Sequence, residues 1–111
     1  MAQTGDDQQK EEAGEEWKSL LGVRVRWPPD MPDDILESAI EITKKHVKPI
    51  QNWQQEGDEA LTAIKKEMDE TWEAYWHVVA GHGFGSEVTH QSRRFVFFYV
   101  GDLAVLLYKA G

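Results

Sequence analysis

The sequence predicts an α+β fold in which two amphipathic helices pack on an antiparallel β-sheet, and three observations predict it. The middle of the chain carries two stretches whose apolar residues recur at three- and four-residue spacing, the mark of a helix with one buried face. The C-terminal third instead alternates with period two or runs continuously apolar, as strands do. Between two of those runs stands Gly101-Asp102, a two-residue connection with glycine at the first central position, as a type II′ hairpin turn requires. Because the sheet so read is apolar on both faces, a dimer is expected as well.

Taken in order, residues 1–16 are mostly Asp, Glu, Gln and small residues without apolar periodicity; they read as a disordered acidic tail, leaving residues 17–111 as the folded domain. Trp17, Leu20 and Leu21 add apolar groups ahead of a first strand, in which Val23, Val25 and Trp27 alternate with Arg24 and Arg26 until Pro28-Pro29 ends it. A first helix begins at Asp33. Its stripe is Ile35, Leu36, Ala39, Ile40, Thr43 and Val47, with acids in the first turn, lysines in the last, and Pro49 as the stop. Gly57-Asp58 is expected to open the second helix, with Leu61, Ile64, Met68 and Trp72 inward and Lys65, Lys66, Glu67, Asp69 and Glu70 in water. Strands follow: one over Trp76-His77-Val78-Val79-Ala80, a polar one over Phe84-Gly85-Ser86-Glu87-Val88-Thr89-His90, one over residues 93–100 and one over residues 103–109.

The last two strands carry the dimer argument. Phe95, Phe97 and Tyr99 point to one face and Val96, Phe98 and Val100 to the other, while Leu103, Val105 and Leu107 oppose Ala104, Leu106 and Tyr108. Two helices can cover one of these faces. The other bears aromatic rings that bury roughly 150 to 250 Å² each, and the short strand over residues 23–27 is not expected to cover them. A second subunit packed face to face is the economical cover. The polar strand over residues 84–90, by contrast, reads as an edge offered to an extended peptide.

Charge and composition exclude other classes. A net charge of −8 argues against nucleic acid and anionic membranes as partners, since both are bound through Lys and Arg. The chain has no cysteine, no apolar stretch long enough to span a bilayer, and no signal sequence, so a soluble intracellular protein is expected. His77, His82 and His90 with Glu87 match no paired-ligand spacing, and Gly81-His82-Gly83-Phe84-Gly85 precedes a strand rather than the helix a phosphate loop needs. No catalytic residue, metal or cofactor is expected.

Ile64-Lys65-Lys66-Glu67-Met68-Asp69, Trp76-His77-Val78-Val79, Phe84-Gly85-Ser86, Val88-Thr89-His90, Phe98-Tyr99-Val100-Gly101 and Ala104-Val105-Leu106-Leu107-Tyr108-Lys109 together resemble the small dimeric dynein light chain family. The similarity runs without a gap from Asp58 to Gly111, and Asp30-Met31-Pro32-Asp33-Asp34 resembles the family's approach to its first helix. The resemblance implies two sheets meeting in a dimer, with one strand of each subunit exchanged into the partner's sheet. It also implies that segments of dynein intermediate chains add as a further strand, so that the protein is a non-catalytic subunit of a microtubule motor in the cytoplasm and cytoskeleton. The long acidic N-terminus and the extra residues around Pro49 to Trp53 are more similar to the outer-arm branch of cilium and flagellum axonemes.

Residue by residue, the resemblance assigns peptide binding to Asp58, Phe84, Gly85, Ser86, Glu87, Val88, Thr89, His90, Phe97, Tyr99 and Ala104. The dimer interface falls to His77, Gly81, Phe84, Ser86, Val88 and Phe95. His77, buried beside its symmetry mate, would resist protonation, so the dimer should weaken in acid. Gly57-Asp58 stands where the family has a Glu-Lys pair, and Glu87 where it has Tyr. These acids predict a preference for basic peptides over the family's Thr-Gln-Thr type. Ala110 replaces a serine that can be phosphorylated. Homodimer and heterodimer with a sibling light chain remain open, as does a hub that dimerises many disordered clients.

Overall fold

The computed structural model describes residues 16–82 and 95–109, with the main chain alone at Phe95. Among them are seven elements: β1 (Glu16–Leu20), β2 (Val23–Trp27), α1 (Asp33–Val47), α2 (Trp53–Trp72), β3 (Trp76–Gly81), β4 (Phe95–Val100) and β5 (Leu103–Lys109). The five strands form one antiparallel sheet in the order β1-β2-β4-β5-β3, and both helices lie on the same face of it. The expected α+β architecture is therefore observed, with one strand added.

That strand is β1. It begins at Glu16, at the end of the segment that composition assigns to the tail, and pairs along its length with β2, from Glu16 opposite Trp27 to Leu20 opposite Val23. Leu21 and Gly22 connect the two, with φ of 53° and 84°. Two consecutive positive φ values give a type I′ turn, whose twist suits a two-residue hairpin. Gly101 (φ 62°) begins the expected II′ turn between β4 and β5, where Val100 faces Leu103.

The core between helices and sheet is built as the periodicity predicts. Ile35, Leu36, Ala39, Ile40 and Val47 of α1 and Ile64 and Met68 of α2 meet Val25, Trp76, Val96, Phe98, Val105 and Leu107 of the sheet, all buried. The helices are also tied to one another, through Trp72 Nε1 donating to Ser38 Oγ at 2.9 Å and through Glu67, which accepts from Lys45 Nζ at 2.7 Å and lies 2.9 Å from His46 Nε2.

Helix α2 starts four residues earlier than the sequence predicts. Asn52 is its N-cap, accepting from the Gln55 N–H at 3.2 Å, and Gly57 is buried inside the helix. The glycine there makes room rather than a boundary: a Cβ at position 57 would stand 2.7 Å from Trp53 Cε2. At its far end the helix breaks at Glu73, where φ is 71°, and Lys109 Nζ donates to the Glu73 carbonyl at 3.2 Å. Asp69 then fixes the start of β3. One carboxylate oxygen accepts from the Trp76 N–H at 2.8 Å and the other from Lys65 Nζ at 2.6 Å. Although partial burial works against ionisation, these donors keep the Asp69 carboxyl below its ordinary range.

Candidate functional site

Strand registers decide which side chains share the face away from the helices. Arg24 lies opposite Tyr99, Tyr99 opposite Ala104, and Ala104 opposite Gly81; one step along, Phe97 lies opposite Leu106 and Leu106 opposite Val79. A third row holds Phe95, Tyr108 and His77. Since facing residues in a sheet project to the same side, Phe97, Tyr99, Ala104, Gly81 and His77 belong to one face, as the alternation predicts, and the Phe95 main chain holds the register position opposite Tyr108. The structure thus brings together three of the expected peptide-binding residues and three of the expected interface residues.

The remaining positions divide. Asp58 is exposed in the second turn of α2 rather than at its start, the helix having begun at Trp53. Phe84, Gly85, Ser86, Glu87, Val88, Thr89 and His90 lie outside the described residues, as does Ala110.

The second face is less open than the sequence suggests. Phe97 and Ala104 are buried, with Trp17, Tyr99, Leu106 and Tyr108 packed around them. The cover reaches the sheet from β1: the Trp17 ring lies 5.9 Å from that of Phe97 and 5.6 Å from that of Tyr99, in tilted and edge-on arrangements. Two cations join it. The Arg24 guanidinium sits 4.8 Å from the Trp17 centroid and 4.7 Å from that of Tyr99, and Arg26 stands 5.3 Å from Phe97. None of Trp17, Arg24 and Arg26 is among the residues the sequence marked. Their one signal was the apolar pair Trp17 and Leu20 just before Gly22, too sparse to mark a hairpin arm.

Towards the other edge the face is open. β3 is the last strand of the sheet among the described residues, and on it His77 and Val79 are exposed, Val79 by 45%. The His77 ring is stacked on Tyr108 at 5.2 Å with 21° between planes. His82, just past the strand, has Nε2 3.4 Å from an Asp102 carboxylate oxygen. Among the described residues no cluster of His, Asp and Glu is arranged to hold a metal ion, and no helix is long and apolar enough to cross a membrane. Among the described residues this face offers aromatic surface, two guanidinia and a strand edge.

Comparison with known proteins identifies the family and the fold. Residues 25–110 match the family model for dynein light chain type 1. The cytoplasmic dynein light chain 1 of Debaryomyces hansenii is 40% identical over 82 residues, which cover 74% of this chain and 86% of the yeast protein. Among solved structures, the dynein light chain-like domain of the Fasciola hepatica calcium binding protein FhCaBP2 superposes with a TM-score of 0.67 at 18% identity, over 85% of this chain and 97% of that one. A native structure of the same domain gives 0.64 at the same identity, over 99% and 100%. The structural likeness establishes the shared fold, and the family match together with the 40% identity establishes more: the chain belongs to the dynein light chain type 1 family.

Proposed function

We propose that this dynein light chain dimerises through the face bearing Val79, His77 and Tyr108. In that dimer the strand over residues 84–90 crosses to the β3 edge of the partner, and extended segments of dynein intermediate chains add beside it. One observation supports the reading above the others. β3 ends the described sheet with exposed apolar surface beside it, an arrangement that water tolerates poorly and a partner strand would complete. Phe97, Tyr99 and Ala104 would floor the groove, with residues 84–90 as its template strand and Asp58 at its rim. Backbone hydrogen bonds give such a ligand its affinity, and alternate side chains give selectivity. Two grooves on one dimer would hold two intermediate chains together, the second binding event being intramolecular. No chemistry is required of the protein, which acts as a clamp in the motor.

The N-terminal hairpin favours a dedicated subunit over a general hub. The whole of β1, with Trp17, precedes the residues that match the family model, and it fills part of the face that a promiscuous binder would leave free. An axonemal outer-arm location in cilium or flagellum is the corresponding proposal for where it works.

Sedimentation of the purified protein, alone and with intermediate-chain peptides, tests the clamp. The expected outcome is a dimer that takes up two peptides; a monomer that binds none would overturn it.

A further inference from the structure

We propose that Arg24, laid across the rings of Trp17 and Tyr99, is a carboxylate-binding subsite of the groove, selecting an Asp or Glu side chain in the extended partner segment. The inference rests on the peptide-binding reading above and adds the chemistry of the ligand to it.

The chain has 20 acidic residues and 12 basic ones, so an exposed cation has many acids to pair with. Among the described residues Arg24 pairs with none of them. Its contacts are the two rings, 4.8 Å and 4.7 Å away, whose centroids are themselves 5.6 Å apart, so the guanidinium bridges the notch between them. Stacked in that way, the group keeps its N–H edge free for a bidentate carboxylate. The stack also restricts a long side chain before any ligand arrives, so less freedom is lost on binding.

Placement gives the subsite its role. Tyr99 is a floor residue of the proposed groove, and Arg24 is its direct neighbour across the β2–β4 pair. An extended ligand turns every second side chain towards this face, and one position of it would come to lie against Arg24. Trp17 is the positioning residue: it supplies one of the two rings and reaches the face only because β1 pairs with β2. The basic-peptide preference expected from Asp58 and Glu87 is therefore opposed by a cation on the floor itself.

The test uses the full chain and three blocked peptides that share one alternating Thr/Val sequence and differ only in carrying Glu, Gln or Lys at a single scanned position. At one position the Glu peptide should bind about tenfold tighter than the Gln peptide at low salt, the worth of one charge-assisted pair, and the advantage should shrink at high salt. Arg24→Gln should erase the difference between the Glu and Gln peptides. Arg24→Lys should keep only part of it, and Trp17→Leu should reduce it. If Glu and Gln peptides bind alike, the groove stands and the subsite is refuted. A difference that survives in Arg24→Gln places the carboxylate elsewhere and refutes it too. If no peptide binds, the groove and the subsite fail together. Should the Glu preference emerge only after Asp6, Asp7, Glu11, Glu12 and Glu15 are neutralised, the occupant is the chain's own acidic segment and the partner assignment is wrong.

Discussion

Two small positions show how a single residue sets local structure. Leu21 holds φ at 53° in the β1–β2 turn, a conformation in which its Cβ crowds the backbone, and it is partly exposed, so its side chain recovers little by burial. Asn is the residue that type I′ turns favour at that place. Leu21→Asn should therefore stabilise the protein by about 1 kcal/mol, read as a higher urea midpoint with unchanged slope. The Leu21 carbonyl, which accepts from Lys44 Nζ, is retained in the variant. Gly57 behaves in the opposite way. In an open helix Gly→Ala would gain up to about 1 kcal/mol, but here the added methyl would press on three ring atoms of Trp53 at 2.7 to 3.0 Å. Trp53 is half-buried against the core, so its ring cannot swing away freely. Gly57→Ala should consequently lose about 1 to 2 kcal/mol, with a matching fall in the urea midpoint; a gain would mean that the ring relocates without cost.

At the scale of elements, the helix pair depends on one carboxylate. Glu67 of α2 takes a hydrogen bond from Lys45 of α1 and, next in weight, contacts His46; these partners outweigh burial and hold its carboxyl below the ordinary 4.5. A depressed value in the folded state contributes stability above the unfolded value, and the contribution disappears as pH falls through the folded one. Wild type should exceed Glu67→Gln by about 0.5 to 1 kcal/mol near neutrality, a modest figure because Lys45 is mostly in water. The two urea curves should converge as pH falls below 4.5 and through the folded value. Elements also show what was legible beforehand. The stripes of α1 and α2 were readable because each buries one face only, and β4 and β5 because alternation is preserved on both faces. The start of α2 was misplaced because a glycine chosen to fit Trp53 looks, in one dimension, like punctuation. β1 escaped because Lys18 and Ser19 interrupt its apolar residues and Leu21 is an uncharacteristic turn residue. With β1 unseen, nothing in the sequence could place Trp17 over Phe97 and Tyr99 or Arg24 across both rings; the alternation that sets Phe97 and Tyr99 on one face was legible, and the side chains packed over them were not.

For the whole molecule the question is which surface the proposed dimer closes. The helix-covered face needs nothing further, and the β1 side of the other face already carries Trp17 and two arginines. Among the described residues of that face it is the β3 side that keeps apolar surface in water, with Val79 opposite Leu106. Lysine there should be nearly neutral in a single chain, because the position is exposed and the long stem can reach water. In a two-fold interface the same lysine would meet its symmetry mate in a desolvated site, where like charges cost several kcal/mol. Val79→Lys should therefore keep the circular dichroism spectrum of the wild type and sediment as a monomer at concentrations where the wild type is dimeric. Its thermal midpoint should no longer rise with protein concentration, because the mass-action contribution of the dimer has gone. A variant that dimerises as tightly as the wild type would move the interface off β3, and with it the strand edge to which the partner's residues 84–90 are proposed to add.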